Sequence, residues 1–503
     1  MKIGSNESYL AVALHTLETK IAPELTSSDT QASAQILKQV LGELLKRELT
    51  SPPLLIGEIE TGNAIADRIE AFCAEVGISV SARTPAPSAP IAAETGFAGL
   101  AAHHEWLSAR LADLAATLAA ARARLDDAAH QQRISALLHD VGVWDERYAL
   151  AQRDMGVPMP PPTPPIAGAP LDRALFEAFL QTQHPDGARC AVTDLKPIPG
   201  GFGKQTFRAS IRDAAGVEQQ LIVRKSDPTP MVRKGCFLIE EEFHLLCDVA
   251  KQDALPVAAP LWLGKDVPGV DADFYVMSTL PGAVPSSFLG AASAVIPEAI
   301  VLQMAQYMAR LHRLTVDQLP DYVARFGQPG WATDTIETCY RRHISEWKAY
   351  YEQNDHLPAP FVIYLLDWLD QNVPKRPERP VLVHGDFNIH NVLADGDVVT
   401  GILDWECAMI GAPEQDLAYV RPIISQHIAW DRFLDHYAAS GGPAIDRASL
   451  DFYMAFSAMR LCVIFNKGVR NMQDGITRDI RYAVVDLGLT PEFMKQALAC
   501  TGG

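Results

Sequence analysis

A chain of 503 residues is too long for one ordinary domain and sets an expectation of about three compact units. With 48% hydrophobic and 21% charged residues it has the composition of a globular protein with a substantial core. Its formal net charge of -18 argues against nucleic acid or an anionic membrane as a partner, since neither is drawn to such a field. The N-terminal MKIGSNESYLAVAL lacks a long apolar core, and no run reaches the roughly 18 apolar residues a membrane span needs, so the reading is cytoplasmic. The eight cysteines are scattered, without CxxC spacing, which fits reduced thiols better than disulfides or zinc.

Residues 1–156 read as an all-helical domain. Leu10, Val12, Leu14, Leu17 and Ile21 recur at near-helical spacing, and Ser27-Ser28-Asp29 supplies a cap for a second helix striped with Ile36, Leu37, Val40, Leu41, Leu44 and Leu45. Ser51-Pro52-Pro53 is expected to break it, because proline lacks the N–H a helix interior needs. Further helices are predicted over about 63–76, 97–125 and 131–152, together a bundle. His103-His104-Glu105 looks like a metal triplet, but adjacent helical residues face different ways, and a solvated polar patch is the better reading. The bundle is open to dimerisation, to walling off an active site, or to binding a partner. Residues 157–170, VPMPPPTPPIAGAP, are a linker, since prolines at this density favour extended chain.

Beyond the linker, 171–181 is a short amphipathic helix. Residues 194–210 then read as strand, glycine turn, strand, with Gly200, Gly201, Gly203 and Lys204 at the turn, where bare backbone can approach phosphates and Lys204 brings a charge of its own. This is not a Walker A loop, because Lys204 is followed by Gln205 and no glycine stands five residues before Gly203. Residues 221–225 form the next strand, where alternation lets only one of Arg224 and Lys225 point inward. Glu240-Glu241-Glu242 opens a helix, and its carboxylates suit the helix start.

The densest chemistry lies in Val381 to Glu406, VLVHGDFNIHNVLADGDVVTGILDWE. Brief β-branched runs at 381–383 and 398–403, with a short strand at 391–393 between them, bring Asp386, Asn391 and Asp404 into a small space. Phosphoryl transfer from a nucleotide needs one carboxylate beside the acceptor hydroxyl and a carboxylate plus an amide oxygen to hold Mg²⁺. Asp386 fits the first role, and Asn391 with Asp404 fits the second; His384 and Gly385 shape the loop.

His384-Gly385-Asp386-Phe387-Asn388-Ile389-His390-Asn391 with Ile402-Leu403-Asp404-Trp405-Glu406 resembles the catalytic and metal-binding loops of the aminoglycoside phosphotransferase / choline kinase family. The resemblance implies an α+β, bilobal, protein-kinase-like domain with an N-lobe at 171–282 and a C-lobe at 283–503, ATP and Mg²⁺ as cofactors, and a small hydroxylated acceptor. It favours Arg224 as the phosphate-binding basic residue and Glu242 as its partner. It places the hinge at Phe274 to Gly282, with backbone around Met277 and Thr279 reading the adenine edge, and makes Asp416 a brace for the catalytic loop; His312 reads as a packed structural histidine. Tyr340-Arg341-Arg342-His343 and Met459-Arg460-Leu461 through Arg470 are similar to the kinase domains related to those fused to acyl-CoA dehydrogenases, which points to a hydroxyacid or hydroxyacyl-CoA. Arg341, Arg342, Arg460 and Arg470 would then meet an anionic acceptor or, as plain surface charges, meet none. An aminoglycoside- or amino-alcohol-directed kinase and a catalytically silent scaffold are the alternatives.

Overall fold

The computed structural model describes residues 13–80, 97–152, 171–185, 187–198, 203–228, 230–285, 296–474, 476 and 489–502. The linker expected at 157–170, Gly200 and Gly201 lie outside them. The chain divides into two compact units, one comprising Met1–Thr163, Ile344–Val373 and Ala458–Gly503, the other Pro164–His343 and Pro374–Ser457. This division does not follow the expected boundaries, because two stretches assigned by sequence to the C-lobe belong to the helical unit.

In the helical unit, α1 (Ser28–Glu75) starts where the Ser27 hydroxyl accepts from the Thr30 N–H at 3.2 Å. It runs unbroken through Pro52-Pro53, against the expected break, and absorbs the separate helix predicted from about 63. Each proline costs a helix about 3 kcal/mol, but Leu55, Ile59, Ile65, Ile69 and Phe72 are buried on its C-terminal side, at about 1.5–3 kcal/mol apiece. Burial wins. Helix α2 (Phe97–Ala121) and α3 (Ala128–Gln152) complete the N-terminal part. Fully buried Trp144 donates its indole N–H to the Glu58 carbonyl at 2.9 Å, and a Cβ at Gly62 would come within 3.0 Å of its ring.

The later stretches join through specific contacts. The chain enters the unit in α8 (Ile336–Gln353, from residue 344), continues in α9 (Pro360–Gln371), and returns in α12 (Leu450–Gln473, from residue 458) and α13 (Thr490–Cys500). Arg122 clamps Asp367 with two hydrogen bonds of 2.7 and 3.1 Å. The Tyr364 ring occupies the space that a side chain at Gly142 would need. Asp145 on α3 accepts the Phe361 N–H at 2.9 Å, satisfying a donor in the first turn of α9. The stretch Arg447–Asn471 is long and apolar enough to cross a membrane by length and composition, but 83% of its most apolar window is buried. It is a core helix.

The second unit begins with α4 (Arg173–Gln183), capped by Asp172, and a five-stranded antiparallel sheet. Its strands are β1 (Ala191–Ile198), β2 (Lys204–Arg212), β3 (Glu218–Ser226), β4 (Pro260–Gly264) and β5 (Phe274–Ser278), in the order β1-β2-β3-β5-β4. Alternation gives the sheet two faces. Ala209, Ile211, Leu221, Val223, Phe274 and Val276 pack on Phe176, Phe179 and Leu180 of α4. The opposite face carries Lys204, Arg224 and Tyr275, because Arg224 pairs with Thr206 and Tyr275 in register and Lys204 stands two residues from Thr206. Helix α5 (Ile239–Lys251) supplies Glu242 to this unit.

The remainder contains α6 (Glu298–Leu311), α7 (Pro320–Phe326), the start of α8, α10 (Pro413–Ile424), α11 (Trp430–Ala439) and the start of α12. Two small antiparallel ladders sit among them. β6 (Val381–Val383) pairs with β9 (Met409–Gly411), and β7 (Val392–Asp395) with β8 (Val398–Ile402). After β5, Ala283 bridges to Ala394 on β7; Gly282 precedes it at φ +97°, where a Cβ would fall 2.5 Å from the Ala394 carbonyl oxygen. Only glycine fits there.

Candidate active site

The segment between β6 and β7 is a loop fixed from beneath. Asp416, fully buried in the first turn of α10, accepts the His384 N–H at 2.8 Å and the Gly385 N–H at 2.7 Å. His312 Nε2 donates to the same carboxylate at 3.1 Å, and its Nδ1 lies 2.9 Å from the Tyr437 hydroxyl. Burial pushes the Asp416 carboxyl up, but His312 and the other donors outweigh it and hold it below the usual carboxylate range. His384 Nε2 lies 2.9 Å from the Leu403 carbonyl and its Nδ1 lies 3.3 Å from the Asp386 N–H, which fixes the orientation of the ring. Gly385 takes φ +75°, as such a tight turn requires.

This bracing delivers Asp386. Asn391 donates its amide N–H to the Asp386 Oδ2 at 2.8 Å and to its carbonyl at 2.9 Å, leaving the amide oxygen as the donor group for a cation. Asp386 Oδ1 has no hydrogen-bond partner, and the nearest cationic candidate, His390 Nε2, stands 3.8 Å away. Burial pushes the Asp386 carboxyl up, but His390, His384 and Tyr419 more than offset it, so it is held below its ordinary range as an ionised carboxylate. The loop is stitched to the end of β8 by the Leu403 N–H donating to the Asn391 carbonyl at 2.8 Å. Asp404 follows in the left-handed region at φ +63°, a conformation that costs a non-glycine residue about 1–3 kcal/mol.

Facing the sheet, Asp404 enters a cluster of five charged side chains. Arg224 is hydrogen-bonded to Asp404, reaches Glu242 at 3.3 Å and stands 3.5 Å from Glu406. Lys204 reaches Glu242 at 2.7 Å, the Cys236 carbonyl at 3.0 Å and Glu406 at 3.4 Å. The side chains of Lys204 and Glu242 are 2% and 1% exposed, so neither charge is sustained by water. Burial opposes the Glu242 charge, but Arg224 and Lys204 overcome it and keep the carboxyl low; burial likewise opposes the Arg224 charge, and Asp404 with Glu242 more than restores it. Glu406 goes the other way, pushed up to about 8 by burial and by Asp404 against the two cations.

The structure thus hydrogen-bonds Asn391 to Asp386, ties the Asn391 carbonyl to the Leu403 N–H just before Asp404, and sets Arg224 between Asp404 and Glu242. Arg224 faces this assembly, while Lys225, on the opposite sheet face, is fully buried against Asp271 at 2.7 Å. Lys204, expected to add a charge near phosphates, is turned onto Glu242. Gly203 adopts φ +76° at the head of β2. Met277 lies within β5, and Thr279 just beyond it is exposed; the Ser278 N–H between them is taken by the Ala259 carbonyl. Sequence reasoning missed Glu406, whose signal was an acid two residues past Asp404, and His390 with Tyr419 beside Asp386. Asp404 and Asn391 offer the hard oxygen donors magnesium prefers, so these residues fit that ion.

Of the four arginines considered for an anionic acceptor, Arg341 pairs with Glu337, Arg342 with Asp334, and Arg470 with Asp355 and Asp474. Arg460 is buried, with its guanidinium 5.7 Å from the Trp347 ring centroid. His104 corrects the expectation of a solvated patch: it is buried, stacked on Trp144 and Tyr148 with centroids 4.9 and 3.5 Å away, and burial pushes its pKa down to about 3. Glu105 on the neighbouring face is exposed, and among the described residues no cluster of three His, Cys, Asp or Glu could hold a metal.

The chain is 29% identical over 239 residues to mouse acyl-CoA dehydrogenase family member 11, covering 46% of this chain and 27% of that protein. It is 26% identical over 299 residues to the probable acyl-CoA dehydrogenase IBR3 of Arabidopsis thaliana, covering 53% and 35%. The chain therefore matches only about a quarter to a third of the length of these relatives. Among solved structures, a putative aminoglycoside phosphotransferase from Ralstonia eutropha superposes with a TM-score of 0.47 and 21% identity, covering 66% of this chain and 98% of that one. A thermostable mutant aminoglycoside phosphotransferase, in ternary complex with AMP-PNP and hygromycin B, gives 0.44 and 18%, covering 65% and 99%. The family model described as "Phosphotransferase enzyme family" matches residues 194–453, more than half of the chain and all of the residues assembled above: the protein belongs to the phosphotransferase enzyme family, with its kinase-like fold.

Proposed function

We propose that the chain is an ATP-dependent kinase that moves the γ-phosphoryl group to a hydroxyl of a small molecule, with a hydroxyacid or hydroxyacyl thioester as the acceptor class. The observation that carries the reading is the pair Asp386 and Asn391, with Asp404 following the Leu403 N–H that donates to the Asn391 carbonyl; Asn391 binds one oxygen of Asp386 and leaves the other without a hydrogen-bond partner. That unpaired oxygen, enclosed in this structure and on a carboxylate kept ionised, suits the removal of a proton from a hydroxyl brought against it. The acceptor oxygen then forms its bond to phosphorus as the bond to the β–γ bridging oxygen breaks; the proton passes to Asp386 and ADP leaves. Asn391 and Asp404 would hold magnesium, which supplies charge neutralisation at the phosphates when bound. Arg224, once released from Asp404, supplies a second positive group there, and Glu242 sets its direction. The acyl acceptor class is supported by the sequence similarity to acyl-CoA dehydrogenase family members.

The test is ADP release from ATP and Mg²⁺ in the presence of hydroxyacids, hydroxyacyl-CoA thioesters, amino alcohols and aminoglycosides. Acceptor-dependent ADP release with the first two groups is expected. Release with aminoglycosides alone would overturn the acceptor class, and a protein that neither binds nucleotide nor releases ADP would overturn the kinase reading.

A further inference from the structure

Kinase chemistry of the kind proposed above asks one basic residue on β3 and one glutamate on α5 to work as a pair, yet here Glu242 has two cations. Lys204 approaches it at 2.7 Å and Arg224 at 3.3 Å. The register explains how both arrive. Arg224 lies opposite Thr206, and Lys204, two residues along β2, is its diagonal neighbour on the same face. Their surroundings differ. The Lys204 ammonium is almost wholly enclosed, donates to the Cys236 carbonyl as well as to Glu242, and stands farther, at 3.4 Å, from Glu406. Arg224 is divided among Glu242, Asp404 and Glu406, and its side chain is 12% exposed. One cation is fixed, and the other is shared among exchangeable partners.

We propose that Lys204 is a positioning residue: it holds Glu242 in place of Arg224, so that the guanidinium can leave Asp404 for nucleotide phosphate without stranding a buried carboxylate. This inference rests on the kinase reading. A glutamate with a single cation would tie that cation down, since removing either member of a buried pair leaves the other uncompensated. With Lys204 in place, Glu242 keeps a partner whichever way Arg224 turns. Arg224 and a magnesium ion compete for the Asp404 carboxylate, and the exchange is open only because Lys204 stays behind.

The experiment is calorimetric titration of the full chain with AMP-PNP, with and without Mg²⁺, alongside a thermal melt. Lys204→Gln keeps a donor for the Cys236 carbonyl but no charge, and should weaken AMP-PNP binding about tenfold with or without Mg²⁺. Lys204→Arg, which restores the charge, should bind within about threefold of wild type. The decisive comparison is Glu242→Gln against Lys204→Met/Glu242→Gln, both of which lack a bare buried carboxylate and so avoid the folding risk of Lys204→Met alone. The two should bind AMP-PNP within about threefold of each other, because Lys204 then has no Glu242 charge to hold and keeps only Glu406, at 3.4 Å. A further loss in the double variant would mean that Lys204 acts by another route, on phosphate or through Glu406, and would overturn the proposal, as would a Lys204→Gln protein that melts lower but binds nucleotide as wild type does. Failure of the wild type to bind AMP-PNP would instead overturn the kinase reading, and this inference with it.

Discussion

On the catalytic-loop side of the site, Asp416 gives its oxygens to two backbone N–H groups and a histidine, all held in place by their own elements. On the sheet side, Glu242, Asp404 and Glu406 have Lys204 and Arg224 among them, and Arg224 touches all three. The first arrangement has one solution, since backbone donors cannot change partner without unfolding the loop. The second has several of similar energy, since an arginine can exchange one carboxylate for another or for a phosphate. The kinase proposed above, which would present its base rigidly and yet admit a charged nucleotide, gains from having both.

The largest expected effect tests the rigid side. Asp386→Ala should lower kcat by about a thousandfold while AMP-PNP affinity by calorimetry stays within about threefold; normal turnover would remove Asp386 as the base. Asp416→Asn comes next, because its amide offers one acceptor where the loop and His312 need two. A loss of about 3 kcal/mol in chemical denaturation is expected, together with loss of activity, and an unchanged midpoint would show that the loop is braced elsewhere.

Asp145 is the control for both sides, a carboxylate that has a backbone donor but no cation. Burial pushes it up to about 7, with the Phe361 N–H pulling the other way, whereas Asp386 and Asp416 are held low. The folded pKa is above the unfolded one, so its contribution to stability is present below about pH 4 and is lost as pH rises toward 7. Asp145→Asn, which can still accept the Phe361 N–H, should match wild type near pH 4 and exceed it by about 4 kcal/mol at pH 8. Parallel pH profiles for the two proteins would refute this. The smallest effect belongs to the exchangeable side. Asp404→Ala should abolish the Mg²⁺-dependent increment in AMP-PNP affinity, about tenfold, without weakening binding in EDTA, since Arg224 is then released.

What the sequence disclosed follows the same line. The catalytic loop was legible because its strands are short, β-branched and bounded by glycine and aspartate, and because Asp386, Asn391 and Asp404 lie within nineteen positions of one another. Arg224 was separable from Lys225 by alternation together with family resemblance. Lys204 was misplaced because its partner sits 38 residues away on α5, and only the β2–β3 register puts the two cations on one face. Pro52-Pro53 misled for the opposite reason: local propensity argued for a break, and the buried row from Leu55 to Phe72 overrode it. The assignment of 344–373 and 458–503 to the helical unit depends on pairings such as Arg122 with Asp367, 245 residues apart, which no local pattern encodes.

The left-handed backbone at Asp404 carries a consequence for engineering. Glycine would adopt φ +63° freely and relieve a strain of about 1 kcal/mol or more, but it would also loosen the unfolded chain and take from the enclosed Arg224 its first carboxylate partner. Whatever a screen for heat resistance made of that balance, Asp404→Gly would give up the carboxylate proposed to hold magnesium. Directed evolution of this chain for robustness therefore has to select for turnover in the same round.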